Sequence, residues 1–388
     1  MIKRGSSVIF FVAIIALLGL TIYTGTAFAD VRIGGKLETK IVGTLDTDDE
    51  FNSYIEEHLN LELILPDYGD TSGKMEFDIY HQPNRLSLGS DSQPTQIPIS
   101  ANISKMYIKQ KFEHFNLTVG RQPISWSFGS ILNPVDYSLS TEMTGMNIKN
   151  KSADGMEFYI PIDWKSGVTA VATYPLNKEG LKWGVRGRTT LMGYDMTMNY
   201  VSQPSQELPE DYFNFDDEIV KDDSRVIEGE KQLSFTTKGD LGPMGIYSAV
   251  GYSYRNRLDA GNPIFLIGGD YSFQVDYDSK LMVQLEYLRD EADKIQNEIY
   301  GQNLVLGSLS YEVDQFSSIG LMGAYNPEDE SGVLAPNYTT IIGSGLDFNL
   351  TGTIFVGEED SQFGPKEIPQ LGLELPKSRL EAGFSYTF

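Results

Sequence analysis

Cysteine is absent from the 388 residues. That excludes disulfides and thiolate metal sites, so stability must come from backbone pairing and apolar burial. Histidine is nearly absent: His58, His81 and His114 are the only three. No two of them stand at the helical spacing of a metal pair, and no serine motif has a base beside it. The chain is expected not to be an enzyme and to carry no metal or other cofactor. Basic residues are in deficit, 30 against 54 acidic, for a net charge of -24. Nucleic acid needs a basic surface and is excluded as a partner. Long apolar runs are missing after the first residues, and nothing beyond them approaches the about 20 residues of a spanning helix.

The one apolar run, Val8 to Leu20, follows Lys3 and Arg4 and precedes Ala27-Phe28-Ala29. This order reads as a secretory signal over 1–29, with cleavage leaving a single domain over 30–388. The chain is expected to be exported, and not as a helical membrane protein.

Aromatics and glycine are plentiful, with 22 Tyr, 20 Phe and 38 Gly. They are arranged with a period of two. In "GKMEFDIY" Met75, Phe77 and Ile79 alternate with Glu76 and Asp78; in "SKMYIKQKF" Met106, Ile108 and Phe112 alternate with Lys105, Lys109 and Lys111. Such alternation marks strands with one apolar face. Eighteen such segments can be placed, with sixteen as second choice, the least regular being 338–348 and 349–357. The connections alternate long and short. The long ones include 42–57, 82–102, 127–153, 204–230, 290–302 and 358–377. The short ones, such as "MGYD" and "DYDSK", carry the Gly, Asp and Asn that tight turns need.

Short turns at one end and long loops at the other are the habit of outer-membrane barrels. Many segments reach the nine or more residues of a tilted membrane strand. The expected fold is all-β, a closed antiparallel transmembrane barrel with long outer loops and short periplasmic turns. In lipid every backbone group must be paired, so the last strand, "SRLEAGFSYTF", must pair with the first, "DVRIGGKLETKIVG". Its aromatic end, Tyr386 and Phe388, resembles the carboxyl-terminal signature of outer-membrane proteins. That resemblance implies the barrel-assembly machinery as a partner.

A second resemblance covers about thirty residues. "KMYIKQKFEHFNLTVGRQPISWSFGSILNPVDYS" resembles a hairpin of large porin-like families, carried by Gly120, Arg121, Gln122, Trp126, Asn133, Pro134 and Asp136. The likeness is to eighteen-stranded porins and alginate-export-type channels. It implies a pore, and a segment after the hairpin that folds inward and narrows it. The loop 127–153, with Asn133, Asp136 and Glu142, is the constriction candidate. General porins are often trimers and many eighteen-stranded channels are monomers, so a homo-oligomer stays open.

A barrel of eighteen strands leaves an aqueous channel unless loops fill it, and its inward faces set selectivity. The inward basic set is Lys36, Lys40, Lys105, Lys109, Lys111, Lys182, Arg186 and Arg188, from the first half of the strands. Arg121 joins them, with a bulge near Gly120 or Pro123 turning it inward against strict alternation. The inward acidic set is Asp270, Asp276, Glu286 and Glu312 from later strands, with Glu76, Asp78 and Glu157 as exceptions in the first half. A basic wall opposite an acidic one would set a transverse field. The acidic stretch 204–230 is expected to be a solvated outer loop beside lipid and lipopolysaccharide. The run "LDTDDE" lacks the glycine and terminal glutamate of a calcium loop.

The expected function is passive diffusion of small hydrophilic or charged solutes across an outer membrane. The alternatives are export of an anionic polysaccharide and a structural or adhesive barrel plugged by its loops.

Overall fold

The computed structural model describes residues 31–81, 99–126, 128–137, 142–144, 147–149, 152–173, 181–207, 226–227, 229–255, 260–290, 303–359, 361–368 and 373–388. The expected signal segment 1–29 and most of 82–102, 204–230 and 290–302 lie outside the described residues. The described residues form strands, turns and extended segments, without a helix.

The strands, numbered in chain order, begin with β1 (Arg32–Leu45), β2 (Phe51–Tyr68), β3 (Thr71–His81), β4 (Ile99–Lys111) and β5 (Asn116–Pro123). A short pair follows, β6 (Glu142–Thr144) and β7 (Asn147–Lys149), and then β8 (Ser152–Pro161), β9 (Gly167–Thr173), β10 (Lys182–Leu191) and β11 (Tyr194–Gln203). A second short pair is β12 (Gln206–Glu207) and β13 (Val226–Ile227). Next come β14 (Glu230–Leu241), β15 (Met244–Arg255), β16 (Ala260–Gln274), β17 (Lys280–Asp290) and β18 (Asn303–Glu312). The chain continues through β19 (Ser317–Asn326), β20 (Ser331–Gly343) and β21 (Leu346–Val356), a third short pair β22 (Lys366–Ile368) and β23 (Leu373–Leu375), and β24 (Ser378–Thr387).

Eighteen of these strands form one sheet, and the short pairs stand apart as three two-stranded sheets. Each barrel strand pairs antiparallel with the next. β24 pairs with β1 from Lys36↔Thr387 to Leu45↔Ser378, which closes the sheet and leaves no free edge. The count is eighteen rather than sixteen. The final residue extends the seam, since Phe388 and Gly35 exchange N–H···O bonds of 3.0 Å in both directions.

The alternation gives the wall two chemistries. On β24 Leu380, Phe384 and Tyr386 stand exposed on the outside, whereas Ser385 is 3% exposed on the inside. At the short-turn end the chain reverses within two residues. Met192 and Gly193 both take positive φ, 52° and 85°, which lets a two-residue hairpin match the twist of its strands.

Two connections differ from expectation. The segment 42–57 is not a long loop, because β1 runs to Leu45 and β2 starts at Phe51. The tight turn between them is held by Asp46, whose Oδ1 accepts the N–H groups of Asp48 and Glu50 at 3.1 and 2.7 Å. The outer face there carries Thr39, Gly43, Ser53 and Glu57, so alternation fades while pairing continues. The expected strand 338–348 crosses a turn at Gly345, where φ is +74°. Its strand is Ser331–Gly343, and both of its faces are apolar near the outer end.

Candidate functional site

The chain between β5 and β6 does not stay outside the barrel. The carbonyl of Trp126 accepts the Asn133 side-chain N–H at 3.1 Å, and Asn133 Oδ1 accepts the Val135 N–H at 3.2 Å. Asp136 Oδ1 accepts the N–H of Trp126 at 2.6 Å and of Tyr137 at 2.7 Å, and its Oδ2 accepts from Ser125 Oγ at 3.2 Å. These bonds fold 125–126 and 128–137 into a compact loop. Burial raises the Asp136 carboxyl above the usual carboxylate range, against the pull of its donors. Burial likewise raises the Tyr137 phenol, to about 12.

The loop lies across the lumen. Its root packs Ile124, Trp126 and Tyr137 against Val171 and Val201. A Cβ on Gly184 would come within 2.8 Å of the Trp126 ring, so glycine is what lets the loop approach. Tyr137 Oη donates to the carbonyl of Lys182 at 3.0 Å and shares a 2.8 Å bond with Thr173. The tip reaches β17, on the far side of the barrel from β5. There Glu286 accepts the N–H groups of Ile131 and Leu132 at 2.5 and 3.5 Å, Tyr247 Oη at 2.6 Å and Gln284 Nε2 at 3.0 Å. Phe128, Leu132 and Val135 bury themselves among inward side chains of β15 to β20, including Ala249, Leu266, Leu288, Leu304 and Leu306. The last outer connection also turns inward. Phe363 joins the same cluster, its N–H bonded to Ser331 Oγ at 3.1 Å and the preceding Gln362 N–H to Asp329 at 2.6 Å.

The wall that this loop leaves uncovered is charged. On β1 and β24 Lys40 lies 3.5 Å from Glu38 and 3.7 Å from Glu381, and Arg379 lies 2.7 Å from Glu381 and 3.6 Å from Glu56. On β2 to β4 Lys74 contacts Glu62 at 3.0 Å and Glu76 at 3.4 Å, while Lys105 contacts Glu76 at 2.7 Å. His58 meets Asp78 at 2.7 Å and stacks on Tyr80. The Arg379 Nε, although close to Glu381, is misaligned and makes no hydrogen bond.

The segregation of basic and acidic walls is therefore not what the structure holds. Glu76 is a partner of Lys74 and Lys105, and Asp78 of His58, rather than exceptions, and Glu38, Glu56, Glu62, Lys74, Arg379 and Glu381 complete an interleaved array. Glu56 sits where β2 begins before its expected start, and the others lie inside strands already expected. Alternation itself was the signal for them.

The remaining predicted residues fall in four places. Register puts Lys36 opposite Asn60 and Thr387, Lys111 opposite Asn116, and both Lys109 and Glu157 opposite Thr118, all on the inward face. Lys182, Arg186 and Arg188 line the inward face of β10. Lys182 Nζ stands 4.9 Å from the Tyr137 ring centroid, Arg186 Nε is buried without a hydrogen-bond partner, and Arg188 pairs with Asp195 at 2.9 Å. Asp270 faces Gly245 and Gln284, and Glu312 stands opposite Lys280 at the turn end of its strand. Glu142 lies in the β6–β7 pair, and its side chain is outside the described residues.

Two residues are corrected. Arg121 is not in the lumen. It shares the outward face with Met106 and Asp154, bonds Asp154 through two nitrogens at 3.0 and 2.7 Å, and donates to the Ile103 carbonyl at 3.0 Å. The expected bulge near Gly120 is absent. The irregularity lies on β4, between Ile103 and Lys105 opposite Glu76/Phe77, and does not turn β5. Asp276 is not on a strand either. It sits in the turn 275–279, where its carboxylate accepts the Tyr277 N–H at 2.8 Å. Asn133 and Asp136 hold the loop together rather than presenting free polar groups to the channel.

No family model matches the chain, and no curated protein does. Solved structures do resemble it. OccAB3 of Acinetobacter baumannii has a TM-score of 0.54 at 10% identity, covering 93% of this chain and 99% of its own. OccAB2 of the same organism gives 0.54 at 10% identity over 94% and 99%. OpdK of Pseudomonas aeruginosa, solved with vanillate, gives 0.53 at 7% identity over 92% and 98%. At such identities the likeness is one of fold.

Proposed function

We propose that this chain is an outer-membrane channel through which small hydrophilic or charged solutes diffuse down their gradients. One observation carries the reading. A closed eighteen-stranded barrel with an apolar outside and a charged inside is narrowed by the inward loop 125–137. The loop covers the β9–β20 side and leaves β24 and β1–β4 to bound the passage. The solved structures that share the fold at a TM-score above 0.5 support the same reading.

The chain reaches that membrane through cleavage of its signal segment 1–29. Tyr386 and Phe388, at the seam, present the signature that the barrel-assembly machinery reads. Outer-leaflet lipopolysaccharide surrounds its outer loops, and self-association into a homo-oligomer is compatible with the reading. Interleaved charge favours small solutes over an anionic polymer, because Lys40, Lys74, Lys105 and Arg379 already have carboxylate partners.

The test is conductance and reversal potential of the refolded mature protein in a planar bilayer under a salt gradient. Stable open steps are expected. A correctly folded barrel that never conducts overturns the channel and leaves a loop-plugged barrel.

A further inference from the structure

We propose that the favoured solutes are small zwitterions, carrying an ammonium and a carboxylate close together as free amino acids do. This rests on the channel reading above and concerns the wall facing the loop. Three cations there lie between carboxylates: Lys40 between Glu38 and Glu381, Arg379 between Glu381 and Glu56, Lys74 between Glu62 and Glu76. These side chains are neither sealed nor free. Lys40 keeps 21% of its side-chain surface exposed, Arg379 26% and Lys74 24%.

A lone cation or anion that engages such a wall takes one member of a pair and leaves the other without it, so it forms one ion pair for each that it breaks. A neutral polyol gains no ion pair at all. A zwitterion does neither. Its carboxylate meets the wall cation and its ammonium meets the adjoining carboxylate, so one wall pair opens and two solute–wall pairs form. Because cations and carboxylates repeat from β24 to β4, the exchange can pass from one pair to the next. Passage needs binding firm enough to enter and weak enough to leave, and several equivalent sites in a row meet that requirement. The unaligned Nε of Arg379 belongs to a pair not locked in its best geometry.

The experiment uses the mature protein in liposomes, comparing swelling in alanine with swelling in its uncharged isomer lactamide, after subtracting protein-free liposomes. Alanine is expected to enter several-fold faster. The variant combining Lys40→Gln, Arg379→Gln and Glu381→Gln is expected to bring the two rates together. If it does not fold, Lys40→Gln alone is expected to lower the ratio part of the way. Equal entry of both solutes into wild-type liposomes overturns the zwitterion inference and leaves the channel standing. So does a ratio that the folded variants leave unchanged. No entry of either solute, with no conductance, overturns the channel itself.

Discussion

The two sides of the lumen are built on opposite principles. From β15 to β20 the inward face carries Ala249, Leu266, Leu288, Leu304 and Leu306, and is covered by the loop; from β24 to β4 it carries interleaved charge and is uncovered. An apolar strip in a wet channel would be unfavourable unless covered. Burying Phe128, Leu132 and Val135 against it is worth about 1.5–3 kcal/mol each, as an upper estimate. The charged side gives little stability per pair, about 0–1 kcal/mol where water reaches it. One side therefore fixes the loop and the other is left to deal with solutes. A residue's sign and exposure matter on the second side, and its shape on the first.

The largest effect is expected at the tip. Glu286→Ala removes four acceptor contacts and leaves the Ile131 and Leu132 N–H groups and the Tyr247 hydroxyl without their partner, at about 1–3 kcal/mol each. The loop should detach from β17. Chymotrypsin should then cleave after Phe128 or Leu132 in the refolded barrel, and single-channel conductance should rise. A protected loop with unchanged conductance would mean that apolar packing alone holds it. Leu132→Ala is next. Deleting a buried leucine costs about 2–5 kcal/mol in a sealed core, and the lower end is expected here because a lumen can admit water. Cleavage should increase less than for Glu286→Ala.

The same contrast explains what could be read beforehand. Where one face of a strand meets lipid and the other meets water, as from Leu380 to Phe388, alternation locates the strand to within a residue or two. Where the loop makes the inward face apolar too, as on β20 with Val333 and Ala335, the period disappears and alternation puts the strand start seven residues late, at 338 instead of Ser331. The inward loop was legible through the porin-hairpin resemblance that Asn133, Pro134 and Asp136 carry, yet their task was not. Local patterning shows that these residues belong to a turn, but not that Asp136 spends its oxygens on Trp126, Tyr137 and Ser125. Glu286 was legible as inward and acidic. Its loop partner Ile131 comes from 155 residues away in sequence, and no local pattern reports it. Arg121 follows strict alternation, because β5 pairs in unbroken register and no bulge turns it.

Tyr137→Phe tests the root of the loop. It keeps the ring against Trp126, at 5.3 Å between centroids, and removes the bonds to Thr173 and Lys182. A loss of about 1–2 kcal/mol is expected in denaturant unfolding followed by Trp126 fluorescence, in a background without the other tryptophans. The phenol adds a pH signature. Its pKa is raised by burial from 10.0 to about 12. The stability it contributes is complete below the unfolded value and is lost as pH rises through the folded one. Wild type should therefore weaken between these two values, and the phenylalanine variant should not change there through this group. Equal alkaline weakening in both would place the responsible group elsewhere.

The smallest effect on stability is expected on the charged side, where it should carry the largest effect on ions. Lys40→Gln leaves Glu38 and Glu381 facing each other across a neutral amide. Partly exposed pairs that water reaches contribute about 1 kcal/mol or less, and Arg379 still compensates Glu381 at 2.7 Å. The melting temperature should hardly move. The reversal potential in a salt gradient should shift towards cation selectivity, since one positive charge has left a wall that keeps its carboxylates. A melting temperature lowered as far as by Leu132→Ala would show that this wall supports the barrel as the other one does. The division of labour between the two sides would then be wrong.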